Sequence, residues 1–182
     1  VPCEAELAFP SDIQNDGTIQ MAEGDAGCPF FMAAHNYIGS GSLLGNGTEA
    51  NEDASGIIIY TVAGVYNSGL IQANGFDENN DLNADGIAED ESGGDGGFLE
   101  VYSGGVVINN GPVELKGGDG RGSGGYGGEG HLHAAYVENN GDVDVSGGSN
   151  VNPGLEVGEY DGSGGSGGAF NLSAYFVANN TG

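Results

Sequence analysis

Val137-Glu-Asn-Asn-Gly-Asp-Val143 is the clearest copy of a phrase that returns six times along this 182-residue chain. Full copies also stand at Ile13-Gln-Asn-Asp-Gly-Thr-Ile19, Val65-Tyr-Asn-Ser-Gly-Leu-Ile71 and Val107-Ile-Asn-Asn-Gly-Pro-Val113. A degenerate copy reads Ile38-Gly-Ser-Gly-Ser-Leu-Leu44, and a truncated one reads Val177-Ala-Asn-Asn-Thr181. Aligned on the first apolar residue, the copies put Asn15, Ser40, Asn67, Asn109, Asn139 and Asn179 in one column. The next column holds Gly17, Ser42, Gly69, Gly111, Gly141 and Thr181, and Ile19, Leu44, Ile71, Val113 and Val143 follow. Self-similarity at this scale marks a repeat architecture.

An alternating or apolar run precedes each copy: Ala5 to Phe9, Phe30 to Tyr37, Ile57 to Val62, Phe98 to Tyr102, Leu132 to Tyr136 and Phe170 to Phe176. Each unit therefore reads as strand, Asn-Gly corner, strand and polar Gly-rich connection, with no capped helical segment. Asn-Gly between strands ordinarily signals a hairpin, so an antiparallel meander is the competing topology. Repetition in one direction, a fixed Asn column and insertions of variable length favour an all-β parallel β-helix instead. In that reading residues 1–182 form a single β-solenoid domain of about five to six rungs with long Gly/Asp-rich insertions at one corner. Rungs lie ~4.8 Å apart, so the Asn column becomes an amide ladder. Cys3 and Cys28 are separated by as many residues as Ile13 and Ile38, which stacks them within reach of a disulfide.

Glycine supplies 39 residues without a Gly-X-Y period, which excludes collagen and points to turns and tight connections. The formal net charge is −25, with Lys116 and Arg121 the only fixed cations. Such a surface repels phosphate backbones and anionic headgroups, so neither nucleic acid nor a bare membrane is an expected partner. No run approaches the ~20 apolar residues of a membrane helix, and no membrane insertion is expected. A compact fold with this charge calls for divalent counter-ions or for a salty medium that screens it. The chain opens Val1-Pro2-Cys3, and with the cysteine pair this points to a removed leader and an extracellular or cell-surface location.

The connection at 76–97 contains Asp77-Glu-Asn-Asn-Asp81-Leu-Asn83-Ala-Asp85-Gly86-Ile87-Ala-Glu89-Asp90-Glu91. Oxygen side chains at alternate positions before a Gly suit a loop that wraps a hard cation. Over about a dozen residues this stretch resembles the calcium loops of thrombospondin type 3 repeats and, more loosely, EF-hand and dockerin loops. The resemblance implies calcium held by Asp81, Asn83 and Asp85 through side chains, by Ile87 through its carbonyl, and by Glu89. Ser92 stands where an EF-hand carries its last Glu, leaving Asp90 or Glu91 as substitutes. Gly93-Gly-Asp-Gly-Gly97 and Gly117-Gly-Asp-Gly120 are similar to toxin-type β-roll repeats but lack their nine-residue period. The Gly-rich run around Gly168 reads as flexible connection. Glu156, Glu159 and Asp161 have no ligand spacing. His131 and His133 share a strand face without a third ligand, and read as ordinary surface histidines. Asn46-Gly-Thr48 and Asn171-Leu-Ser173 match glycosylation sequons.

The repeat, the absence of a capping helix and the truncated copy at Val177 favour a non-enzymatic structural or adhesive protein. Either the chain is a fragment of a longer solenoid or its open β-helix ends stack head-to-tail on neighbouring copies, and the function expected is a self-assembling filament stabilised by calcium. The alternative is a carbohydrate-active or glycan-binding β-helix, with surface glycans as partners. Lyases of uronates need cations that this chain hardly has, whereas a glycosidase needs only two carboxylates. Ice binding would want a Thr ladder, and Thr is scarce here.

Overall fold

The computed structural model describes residues 5–20, 29–48, 52–77, 92–120, 122–151 and 163–182, and there every regular element is a strand. The first unit holds β1 (Ala5–Ala8), β2 (Ile13–Asn15) and β3 (Thr18–Gln20), and the second β4 (Phe30–Gly39) and β5 (Ser42–Leu44). The third holds β6 (Ile57–Asn67) and β7 (Ile71–Gln72), and the fourth β8 (Phe98–Ser103), β9 (Val106–Asn109) and β10 (Val113–Glu114). The fifth holds β11 (Glu129–Asn139) and β12 (Val143–Asp144), and the sixth β13 (Ala169–Asn180).

The large sheet runs β1-β4-β6-β8-β11-β13, with β2 beside β4 and β9 beside β6 and β11. The small sheet runs β12-β10-β7-β5-β3. All pairs are parallel, so no Asn-Gly corner closes a hairpin and the meander is excluded. Strands neighbour one another in the order of their units, and inward side chains line up across the units. One column runs Met32, Ile59, Val101 and Leu132; another runs Leu43, Ile71 and Val113. All of these are buried, and each contributes about 1.5–3 kcal/mol of hydrophobic stabilisation.

The register differs from the sequence alignment in two units. Tyr37, not Ile38, pairs with Ile13 and Val65, which puts Gly39 rather than Ser40 in the Asn column and Leu43 rather than Leu44 on the inside. In the sixth unit Ala178, not Val177, pairs with Val137, so Asn180 rather than Asn179 joins the ladder. Both shifts follow from irregular pairing earlier in the same strands, between Ala34 and Asn36 in β4 and between Ala174 and Val177 in β13, opposite Ala134 and Tyr136.

The ladder itself is continuous over four units. The Asn67 Nδ2 donates to Asn109 Oδ1 at 2.8 Å, Asn109 to Asn139 at 2.7 Å and Asn139 to Asn180 at 2.9 Å. Each of these three amides also donates to the carbonyl of the corner glycine two residues on. Those glycines stack as closely as the amides. A Cβ at Gly69, Gly111 or Gly141 would fall 1.7–1.9 Å from the carbonyl oxygen of the corner glycine one unit back. None of the three has a left-handed φ, so the column requires the missing side chain rather than conformational freedom.

The Gly-rich connections are ordered by the same means, which corrects the reading of Gly168 and its neighbours as flexible. Gly94 N–H donates to Phe76, Gly118 to Gly94, Gly125 to Gly118, Gly148 to Gly125 and Gly165 to Gly148, at 2.8–3.1 Å. Chain leaving one unit thus alternates with chain entering the next in one backbone layer. A Cβ at Gly118 or Gly148 would lie 1.9 Å from a facing carbonyl oxygen. Gly168 N–H is held by Val145 O at 2.7 Å.

Candidate functional site

Three surfaces of this frame carry chemistry. The first is the outer edge of β13. Among the described residues no strand pairs with that edge, and Tyr175, Phe176 and Val177 on it are 79, 82 and 47 % exposed. Residues 169–182 contain no charged side chain, in a chain of net charge −25. Edge strands are ordinarily guarded by charge or Pro, and this one is not.

The second surface is the outward face of the large sheet. Phe31, Tyr60, Tyr102, His133 and Tyr175 form a continuous column across β4, β6, β8, β11 and β13, with ring centroids 4.9–5.9 Å apart. Tyr60 and Tyr102 are stacked nearly parallel, at 11°, and Tyr175 meets His133 edge-on. Parallel pairing puts Tyr60, Tyr102 and His133 in one register column, whereas Phe31 and Tyr175 reach it from outside that column, which single-sequence reading of separate strands did not reveal. The signal was present only as one aromatic or imidazole ring in each run, at no fixed distance from its start. The Glu100 charge beside Tyr102 raises the phenol's pKa.

Where the incoming connections meet this face, Asp53, Asp95, Glu100, Glu129, Tyr126 and His131 line an open groove of about 450 Å³ floored by Phe98. His131 Nε2 lies 3.9 Å from Glu129 Oε2. The two sequence-singled histidines thus part ways, His131 to a carboxylate and His133 to the ring column. Among the described residues no three His, Cys, Asp or Glu are grouped to hold a metal ion.

The third is the acidic and amide-bearing connections, which act as unit-to-unit caps. Asp53 Oδ1 accepts from Asp95 N, Asp95 Oδ1 from Tyr126 N, Asp77 Oδ1 from Asp119 N and Asp119 Oδ1 from Ser149 N, at 2.7–2.8 Å. Asn46 Oδ1 likewise accepts from Asn74 N and Asn74 Oδ1 from Lys116 N, both at 2.9 Å. The Asn46 sequon amide is therefore engaged within the fold, whereas Asn171 is exposed on β13. Glu114 Oε2 collects Gln72, Asn74 and Lys116, and the Gln72 hydrogen bond does most to hold its pKa below the usual carboxylate value.

The expected calcium ligands Asp81, Asn83, Asp85, Ile87, Glu89 and Asp90 lie outside the described residues, as do Cys3, Cys28, Arg121, Glu156, Glu159 and Asp161. The flanks of the loop are described: Asp77 caps Asp119, and Ser92 Oγ meets Ser123 Oγ at 2.9 Å. Comparison with family models, with curated proteins and with solved structures finds no match to this chain.

Proposed function

We propose that the chain is a parallel β-helix acting as a non-enzymatic structural or adhesive element at the cell surface or outside the cell, where copies stack head-to-tail into a filament. The observation that carries this reading is the long, apolar, uncharged edge of β13. Strands of one unit present the same parallel edge as those of the next, so the outer edge of β13 matches the edge to which β1 and β2 belong. Like-charged copies approach most readily over the surface that lacks charge. Such a contact is heterologous and does not close, which generates a filament.

Calcium bound at residues 77–91 by Asp81, Asn83, Asp85, Ile87, Glu89 and Asp90 fits the charge of the chain and would tie down its most acidic insertion. A Cys3–Cys28 disulfide fits the register of the first two units, because Ala5 pairs with Phe30 at the same sequence offset. Electron microscopy and light scattering with and without calcium test the assembly. Filaments, or a mass that grows with concentration, are expected; a monodisperse monomer at all salt and calcium concentrations defeats it.

The aromatic column favours a second reading, recognition of a surface glycan. Its rings repeat at about the spacing of sugar rings in an extended glycan, and the exposed hydroxyls and open terminal ring of Tyr175 supply polar and apolar contacts. Retention on neutral polysaccharides that is lost in Tyr102→Ala and Tyr175→Ala supports it.

A further inference from the structure

We infer that the chain's single lysine, Lys116, forms an isopeptide cross-link to Asn74, a covalent tie between the third and fourth units that is independent of any assembly. Pairing of β7 with β10 sets Gln72 beside Glu114, and two residues further on Asn74 stands beside Lys116. Glu114 and Lys116 alternate with the buried Val113 and Leu115, so both face outward. The side chains converge on one oxygen. Glu114 Oε2 accepts from Gln72 Nε2 at 2.7 Å and from Asn74 Nδ2 at 3.3 Å, and lies 3.6 Å from Lys116 Nζ. At the other end of the same amide, Asn74 Oδ1 accepts the Lys116 N–H at 2.9 Å. Asn46 fixes the arrangement from the unit before, accepting the Asn74 N–H at 2.9 Å and donating to Gln72 Oε1 at 2.7 Å.

These contacts supply the parts of an acyl transfer: a nucleophile, a proton carrier that touches both nitrogens, and a donor on the carbonyl oxygen. The Glu114 carboxylate takes a proton from the Lys116 ammonium, and the freed lone pair of Nζ forms a bond to Asn74 Cγ. The carbonyl electron pair moves onto Oδ1, where the Lys116 N–H stabilises the developing charge. Glu114 then gives its proton to Nδ2, the Cγ–Nδ2 bond breaks and the carbonyl re-forms. The departing ammonia carries off the second proton of Nζ. A lysine ammonium and a carboxamide thus become an isopeptide and one ammonium ion, with no oxidant or cofactor. The competing nucleophile at an Asn-Gly step is the glycine nitrogen. Here the Gly75 N–H is donated to Lys116 O at 2.8 Å, and a Cβ at Gly75 would lie 1.9 Å from Gly94 O, so that backbone is packed in place. The Lys116 and Glu114 side chains are 37 and 31 % exposed, so hydroxide as well as Glu114 can take the ammonium proton.

Mass spectrometry of the intact chain after incubation in mild base tests the bond. The expected result is loss of one ammonia per chain, a peptide joining residues 74 and 116 after digestion, and a lysine closed to amine-acylating reagents. Because only a neutral amine attacks, the rate should rise about tenfold per pH unit while the amine is mostly protonated. Lys116→Arg keeps a cation beside Glu114 and should abolish the ammonia loss. Glu114→Gln should slow it by roughly a hundredfold. The joined peptide is read in the unmodified chain, so the test does not depend on either variant folding. A chain that keeps its mass, with Lys116 acylated in full, overturns the proposal. Ammonia loss that persists in Lys116→Arg overturns it too, and assigns the loss to succinimide formation at an Asn-Gly step.

Discussion

Units three to six and unit two occupy the same corner of the fold with different side chains. From Asn67 to Asn180 one amide sits above another, and Asn67, Asn109 and Asn139 each bond both the next amide and the adjacent corner carbonyl. In unit two the ladder position is Gly39, and the fully buried Tyr37 ring fills the space: a Cβ at Gly39 would lie 2.4 Å from the Tyr37 hydroxyl oxygen. Asn15 reaches that hydroxyl at 3.4 Å, and burial raises the phenol's pKa. On the other side the buried Asn67 Oδ1 has no hydrogen-bond partner among the described residues. A ladder position is thus filled either by hydrogen-bonding capacity or by volume. The second solution leaves an unsatisfied acceptor, which ordinarily costs about 1–3 kcal/mol.

The most severe way to break the regular region is Gly111→Ala. The added methyl group would meet the Gly69 carbonyl at 1.9 Å, and only backbone movement relieves that contact. A loss at or above ~3 kcal/mol is expected by urea denaturation, against nearly none for Gly17→Ala, whose added methyl group meets no atom of the described residues within 4 Å. Equal effects at the two sites would refute the close-approach account of the glycine column.

Asn109→Leu comes next. It strands the Asn139 acceptor and removes the partner of Asn67 Nδ2, so a loss of about 2–3 kcal/mol is expected. Asn15→Leu, which breaks longer bonds at the edge of the stack, is expected to cost about 1 kcal/mol. A cost at Asn15 equal to that at Asn109 would mean that ladder continuity contributes nothing beyond single bonds.

A coupled pair of substitutions sharpens the comparison. Tyr37→Ile alone opens a cavity, and Gly39→Asn alone collides with the ring. Together they rebuild the ladder and supply Asn67 Oδ1 with a donor. A double-mutant cycle should show a favourable coupling of about 1–2 kcal/mol. Additive losses would show that unit two holds its shape for reasons other than the Tyr37–Gly39 exchange.

Much of this was legible from residues alone, and the misreadings have specific causes. The Asn-Gly phrase and its flanking alternation located the strands and corners, because side chains repeat every two residues along any strand. The same alternation cannot say which of two adjacent apolar residues faces inward once pairing becomes irregular, which is why Tyr37 and Ala178 replaced Ile38 and Val177. The capping roles of Asp53, Asp77, Asp95 and Asp119 were not legible because each acceptor's donor lies one unit away, at a distance set by insertion length. The aromatic column and the glycine layer escaped for that reason too: each is a relation between units, invisible within any one.

By itself, then, the chain determines an all-β repeat, its corners, its anionic surface and its lack of charge over the last strand. Those properties are local or additive along the sequence. Only the tertiary structure decided that the strands pair in parallel, which residue of each unit enters the ladder, and that the glycines are required by close backbone approach. Those depend on what lies one unit above and below, and stacking rather than sequence neighbourhood sets the contacts.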